Sequence, residues 1–507
     1  MKAELLNQEV LAMYDVRGIQ NYIFKSNAAK EIIGASALVE KIITDGLQEY
    51  VKGLSQDEQP HYMMNWSADD PEAFLKAGSD VEMQILFVGG GNAYVLFRTG
   101  EVCQKVNRFL SRYILDHTYS LSLAVAVVGK TENYQNDYNR INQEMAGVKA
   151  RMPMTVPAGA LPFMAADSVT GYPLTGKEKD DYCSTEAALK RAAFPKEEDE
   201  KIFDNMVTEK GDSSTLAVVH MDGNSMGRRI QKEMQSVTDY TAAVKKMRKL
   251  SGDIAAAFRN TVDRMKEYMN QISSLVKKDL SHKLYREIIV AGDDITFVCN
   301  AKLAIPAVRY FLSHIGDAKE NRFSACGGIA FFNSHFPFSD AYQVAEACCE
   351  NAKKRAKQPE NRGTGEKIGN FFDFQICTNI HAATLEGYRD RQYTAGGRSF
   401  IARPYYVPLT DDTFALNQKN EKYSVEQLIK WQHYFCNEMP RSKAKELRDA
   451  VPKGFGEVEK EISFLQSRGY SKMDYPEKNC KIWYDALEIM DWFIDEKSIE
   501  GTGGTCK

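Results

Sequence analysis

Several things are scarce in this 507-residue chain, and each scarcity closes off a class of protein. None of the ten cysteines forms a C-x-x-C pair, so structural zinc is not expected. In a chain of this size they read instead as small, mostly buried apolar residues of a reducing compartment. No stretch approaches the ~20 apolar residues of a membrane span, and no long apolar run follows Met1-Lys2-Ala3-Glu4-Leu5-Leu6, so a cytoplasmic protein is expected. Excess charge of one sign is missing too. A formal net charge of −4 leaves no electrostatic footprint of a protein that coats nucleic acid. With 43% hydrophobic and 26% charged residues there is little room for a long disordered tract. At roughly 100–200 residues per domain, the length predicts three or four compact units.

What is present is a weak internal repeat of strand, turn, helix and hairpin. In the first copy Val10 to Val16 reads as a strand, Arg17-Gly18-Ile19-Gln20 turns it into a helix from about Asn21, and Met83 to Val88 with Ala93 to Phe97 form a hairpin. The tip of that hairpin is Gly89-Gly90-Gly91-Asn92. In the second copy the strand Thr215 to Met221 ends at Asp222-Gly223-Asn224-Ser225-Met226-Gly227, and a helical stretch runs to about Lys278. Its hairpin, Leu284 to Val290 with Ile295 to Cys299, carries Gly292-Asp293-Asp294 at the tip. A strand from Phe323 to Phe331 leads to a helix from about Ser339 to Lys357 with Ala341, Val344, Ala345, Cys348 and Ala352 on one face. The expected division is 1–130, a first and degenerate domain; 131–214, a partly helical connector; 215–376, the catalytic domain; and 377–507, a mostly helical domain. The charge run Lys196 to Lys201 reads as a solvated face and Gly501-Thr502-Gly503-Gly504 as a frayed tail.

Nucleotidyl transfer needs an activated hydroxyl and a phosphate whose developing charge is neutralised, and two magnesium ions about 3.5–4 Å apart supply both. Magnesium takes hard carboxylate oxygens plus substrate phosphates. A strand ending in Asp222 beside a hairpin tip carrying Asp293 and Asp294 would offer three carboxylates to one metal pair, since neighbouring strands lie about 4.8 Å apart. Either motif alone is an ordinary turn; their order, with a helix between, is what points to catalysis and to Mg2+ or Mn2+ as cofactor. Gly223 and Gly227 allow backbone N–H groups to approach a triphosphate at a helix N-terminus, and Lys353 and Lys357 would add positive charge towards it. The first copy keeps Asp15 but has Gly91 and Asn92 in place of the acidic pair, so it cannot build the same cage. Its Gly34-Ala35-Ser36 reads as the opening of a second helix with Ser36 at the N-cap.

Together these segments resemble the polymerase-like large subunit of type III CRISPR effector complexes. The resemblance runs through Tyr14-Asp15-Val16-Arg17-Gly18-Ile19-Gln20, Gly34-Ala35-Ser36, Gly89 to Asn92, Asp222-Gly223-Asn224 and Gly292-Asp293-Asp294. It continues through Ala345-Glu346 to Ala352-Lys353 and Ala402-Arg403-Pro404-Tyr405, covering about residues 10 to 410. It implies an α+β fold with two ferredoxin-like palm domains (βαββαβ, antiparallel sheets with helices on one face), followed here by a helical C-terminal domain. It implies conversion of ATP to cyclic oligoadenylate, with metals on Asp222, Asp293 and Asp294 and a second nucleotide near Ser36 and Asn92. The expected partners are nucleoside triphosphates with CRISPR effector subunits and guide or target RNA, or a homo-oligomer. Departures from the family pattern are Ala291 in place of a frequent glycine, no expected N-terminal His-Asp nuclease domain and no zinc insertion, as in a compact or standalone relative. The competing expectation is a catalytically silent scaffold that binds nucleotide or an RNA complex. A template-dependent polymerase is disfavoured by the lack of a basic channel.

Overall fold

The computed structural model describes residues 3–89, 91–152, 159–178, 181–195, 202–208, 214–277, 282–316, 323–361, 368–378, 385–409, 415–470 and 480–496. The charge run 196–201 and the tail 501–504 lie outside them. The chain forms two compact units, Met1–Glu200 with Ser225–Ala256, and Lys201–Asn224 with Ala257–Lys507. No helix among the described residues is long and apolar enough to cross a membrane.

In the first unit, strand β1 (Val10–Arg17) is followed by helices α1 (Ile19–Phe24) and α2 (Ala29–Lys52), strands β2 (Tyr62–Met63), β3 (Met83–Gly89) and β4 (Asn92–Phe97), helix α3 (Gly100–Thr118) and strand β5 (Ser122–Gly129). The sheet order is β2-β3-β4-β1-β5, with β1 antiparallel to both β4 and β5. This is the βαββαβ order of a ferredoxin-like palm. Helices α2 and α3 lie against each other, and Gly46 of α2 leaves room for Leu110 and Tyr113 of α3. On the sheet's other side α4 (Tyr134–Arg151) buries Ile141 and Met145 in one cluster with Ala124, Ala126 and Val128 of β5. The 131–214 segment therefore opens with a long helix, continuing through strands β6 (Leu174–Glu178) and β7 (Asp181–Ser184) and helix α5 (Thr185–Ala192).

In the second unit come α6 (Ile202–Met206) and β8 (Thr215–Gly223). Helices α7 (Met226–Met234) and the opening of α8 (Tyr240–Val276) belong to the first unit, where Tyr240, Val244 and Met247 join the α4 cluster; the rest of α8 belongs to the second. Then follow β9 (Tyr285–Ala291), β10 (Asp294–Asn300), α9 (Ala301–His314), β11 (Ala325–Asn333), α10 (Phe338–Ala356) and β12 (Asn370–Ile376). Beyond them lie α11 (Leu385–Gln392), the hairpin β13 (Thr394–Ala395) and β14 (Arg398–Ser399), strand β15 (Tyr405–Val407), and helices α12 (Ala415–Lys419), α13 (Val425–His433), α14 (Arg441–Ala450), α15 (Phe455–Ser467) and α16 (Cys480–Glu488).

The second sheet is ordered β15-β12-β11-β8-β10-β9. Its strands β11-β8-β10-β9 repeat the order β5-β1-β4-β3, and β12 extends them parallel to β11. One face is covered by α9, whose Val308 approaches Gly327 of β11, and Phe311 of α9 packs on Phe258 of α8. The other face is covered by α10, an addition to the βαββαβ core. Ala341, Val344, Ala345, Cys348 and Ala352 of α10 are all buried, as the periodicity predicts. Behind β15, the buried Asp485 carboxylate of α16 accepts hydrogen bonds from the backbone N–H of Ala402 (2.8 Å) and the hydroxyl of Tyr405 (2.7 Å). The Ala402-Arg403-Pro404-Tyr405 segment thus docks the helical region onto the sheet.

Seven of the eight described free cysteines are buried; Cys436 is the exposed one. One glycine sets the spacing of α10. A Cβ on Gly328 would lie 1.9 Å from the Ala345 carbonyl oxygen and 2.4 Å from the Cys349 nitrogen, both backbone atoms of the helix. Backbone cannot swing aside as a side-chain tip can, so Gly328→Ala is expected to lower stability by roughly 1–3 kcal/mol. Urea unfolding of the two proteins measures it, and equal midpoints would show that α10 is free to move outward.

Candidate active site at the strand ends of the second sheet

Successive residues of a strand point to opposite faces, so His220 and Asp222 of β8 share one. Across β10 they meet Thr296 and Asp294, and across β11 they meet Gly328 and Cys326. This is the face that α10 covers. Because Gly328 brings the helix close, α10 reaches the polar groups directly: the Tyr342 ring stands edge-on to the His220 ring, and Lys353 Nζ lies 2.5 Å from Asp222 Oδ2.

The hairpin between β9 and β10 turns in two residues, Gly292 and Asp293, with Ala291 paired to Asp294. Gly292 has φ +65°, a conformation that a β-carbon disfavours. The turn is pinned to β8 where the Gly223 N–H donates to the Asp293 carbonyl (3.2 Å). That contact sets the Asp293 carboxyl within hydrogen-bonding reach of Asp222. Burial, and then the Asp222 charge, push Asp293 up to about 6, while Lys353 pulls it down. Lys353 itself is disfavoured as a cation by burial, but Asp222 outweighs this and holds its pKa above the ordinary lysine value.

Asp294 lies differently. Its Oδ1 is 3.6 Å from His220 Nδ1, which is also 3.1 Å from the Thr296 hydroxyl. Burial pushes His220 down to about 4, so at neutral pH it is an uncharged polar neighbour. The structure therefore brings Asp222, Asp293 and Lys353 together and turns Asp294 towards His220. Asn224 is buried, and its side-chain amide donates to the Gly369 carbonyl (3.4 Å). Lys357 is the exposed C-cap of α10, one turn past Lys353. Gly227, exposed near the start of α7, belongs to the other unit.

In the first unit Asn92 begins β4, paired to Asp15. The expected N-cap role of Ser36 is corrected by the structure: α2 begins at Ala29, so Ser36 is a helix-interior residue. The chain enters α2 through Ser26, which accepts from the Ala28 N–H and donates to Glu31. Gly34 marks a helix crossing instead, since a Cβ there would lie 1.8 Å from the Lys190 carbonyl of α5.

Sequence reading also missed a second lysine–aspartate pair. Lys149 Nζ of α4 lies 2.7 Å from Asp15 Oδ2, as Lys353 of α10 lies on Asp222. The Val16 N–H donates to the Gly91 carbonyl (2.9 Å), as Gly223 does to Asp293. Tyr138 precedes Lys149 by the same spacing as Tyr342 precedes Lys353. That Tyr-to-Lys spacing was the available signal, hidden because α4 had no assigned place in the repeat. The repeat is thus physical, down to individual hydrogen bonds.

Among the described residues no group of three or more His, Cys, Asp or Glu side chains is arranged to hold a metal ion. Two adjoining carboxylates, one with a pKa raised by burial and then by the other, nevertheless form a donor set that suits magnesium, which commonly takes one or two protein carboxylates and completes its shell with water and phosphate.

A ferredoxin-like sheet with an acidic strand end beside an acidic hairpin tip defines the palm class of protein. Residues 215–362 match the family model described as Cas10/Cmr2, second palm domain, and the chain is Cas10-like through that domain. No curated protein matches it. Among solved structures it is similar to Csm1 in a Csm1–Csm4 cassette in complex with cA4, at 12% identity and TM-score 0.53, covering 97% of this chain and 70% of that one. A Csm1–Csm4 cassette in complex with AMPPNP matches at 14% identity and TM-score 0.46, over 97% of this chain and 70% of that one. At such identities the first likeness is one of fold.

Because Asp293 binds its proton more tightly folded than unfolded, stability of the metal-free protein is expected to fall as pH rises from about 4 to about 6 and then level off, by on the order of 3 kcal/mol. Urea unfolding across that range checks this. Asp293→Asn should flatten the slope and Mg2+ should offset it, whereas a slope unchanged in the variant would assign the effect elsewhere.

Proposed function

We propose that the chain is a metal-dependent nucleotidyltransferase that converts ATP into a cyclic (oligo)nucleotide second messenger in CRISPR-type antiviral defence. The observation that carries this reading is the Asp222–Asp293 carboxylate pair, with Lys353 upon it, at the strand ends of a Cas10/Cmr2-type second palm. In this reading Asp222 and Asp293, with Asp294 beside them, hold Mg2+ or Mn2+. The bound metal neutralises phosphate charge and activates the attacking hydroxyl. Lys353 fixes the orientation of Asp222 and adds a positive charge next to the phosphates. Neutral His220 orients Asp294 without competing for its charge. Gly223, Asn224 and Lys357 serve the triphosphate, and Ser36 and Asn92 a second nucleotide in the first unit.

The same reading makes 1–130 the first palm, 131–214 a connector, 215–376 the catalytic palm and 377–507 an appended helical domain. It places the protein in the cytoplasm with effector subunits, of the kind the Csm1–Csm4 structures pair, as partners. A second reading, a silent nucleotide-binding scaffold, is favoured by one observation: Lys353 already neutralises Asp222 in the absence of any metal.

Incubation of the purified chain with labelled ATP, or each other NTP, and Mg2+ or Mn2+ distinguishes the two. A cyclic product should form, and Asp222→Ala or the Asp293→Ala/Asp294→Ala pair should cut its rate at least ~100-fold. Equal rates in the variants would remove these carboxylates from the chemistry. Nucleotide binding without product would favour the scaffold.

A further inference from the structure

The two palms differ at one edge. Strand β5 is the outermost strand of the first sheet, and among the described residues no strand pairs with its outer side. Its counterpart β11 is not outermost, because β12 runs parallel along it, in contact with both α9 and α10. An open edge presents a row of backbone donors and acceptors.

The β5 edge is also recessed. A groove of about 1190 Å³ runs along it, lined by Asn107 of α3, Val125 and Val127 of β5, and Arg140, Gly147 and Arg151 of α4. Residues 140, 147 and 151 fall on one stripe of the helix. Counting back from the paired lysines, Gly147 of α4 occupies the place of Asn351 of α10. Asn351 is the residue that donates to Asp373 of β12 (2.7 Å). The stripe that grips β12 in one palm thus borders an empty groove in the other, with a glycine at the gripping position.

We propose that the β5 groove binds a single extended segment of another polypeptide, added parallel to β5 as β12 is added to β11. The recess selects against a second copy of this chain. Its β5 is flanked by the same two helices, and these would meet α3 and α4 before the strands came within about 4.8 Å. Charge narrows the occupant further. The rim is balanced: Arg140 and Arg151 of the groove pair with Asp137 and Glu144, and Arg112 on the adjoining surface of α3 pairs with Asp116. The segment is therefore a largely apolar one of little net charge, as the buried strand β12 is, with affinity from main-chain hydrogen bonds and specificity from the recess.

The test uses the full chain and a fluorescent peptide of the β12 sequence, Asn370–Ile376, flanked by glycines and serines. Anisotropy should show saturable micromolar binding, and hydrogen exchange should slow across 122–129. Gly147→Arg fills the groove, where a new side chain meets only the flexible Arg151 tip, and it also favours the helix. It should weaken binding at least about tenfold, with an unchanged melting temperature. Absence of saturation at millimolar peptide, or equal affinity in Gly147→Arg, would overturn the proposal. So would sedimentation as a dimer that Gly147→Arg disperses, which would assign the edge to a second copy.

Discussion

Everything at the end of the second sheet answers to one constraint: carboxylates gathered in a half-buried place must be given positive charge. Burial, and then the neighbouring Asp222 charge, raise the cost of ionising Asp293. Lys353 is the compensation the chain carries within itself. To deliver that ammonium, α10 must lie nearly in backbone contact with β11, which is why a glycine stands at 328 and small residues line the helix face. The two-residue turn at Gly292-Asp293 is the other half of the arrangement. A longer loop would leave Asp293 in water, where its pKa would have no reason to rise.

The first palm shows which parts of this arrangement belong to the fold and which to the chemistry. It keeps the strand order, the glycine turn, the N–H bond from β1 to that turn and the lysine–aspartate pair. It replaces the tip acids by Gly91 and Asn92. Since Asp15 with Lys149 survives there without a second carboxylate, the pair alone is a packing device that ties a helix to a strand end. What distinguishes the second palm is the addition of Asp293 and Asp294 to a pair already neutralised.

Much of this was legible in the sequence because the signals were local. Alternation and terminal glycines marked β8 to β10, and the small-residue stripe marked α10. Helix α4 was not legible: it opens in a polar run, Asn133 to Asn139, whose N-cap, Asn133 accepting from the Asn136 N–H, resembles turn chemistry. Strands β12 and β15 were missed because short apolar runs carry no period of their own, and their assignment depends on pairing with β11 and with each other. Ser36 failed for a related reason. Gly-Ala-Ser fits a helix start by composition, yet Gly34 is small because another helix's carbonyl stands over it, a tertiary fact. His220 was read only as a strand residue, and its bearing on Asp294 follows from cross-strand register.

Charge bookkeeping also bears on what the two palms can hold under the proposed reading. In the second, Asp222, Asp293 and Asp294 stand against a single lysine, with Glu346 and Glu350 further along α10 and the Glu346 carboxyl pushed up by burial and by Glu350. Such a surface repels a triphosphate unless cations join it, and neutral His220 contributes none. Metal is then needed twice over, for the carboxylates and for the substrate, which couples its binding to that of the nucleotide. In the first palm Asp15 and Lys149 cancel, and Asn92 and Gly91 add no charge. A polyanion meets no electrostatic barrier from that strand end, so it can be held by neutral donors without a metal of its own. Under the proposed reading, the absence of two carboxylates from one copy is therefore what lets a repeated scaffold offer two chemically different places for the same kind of ligand.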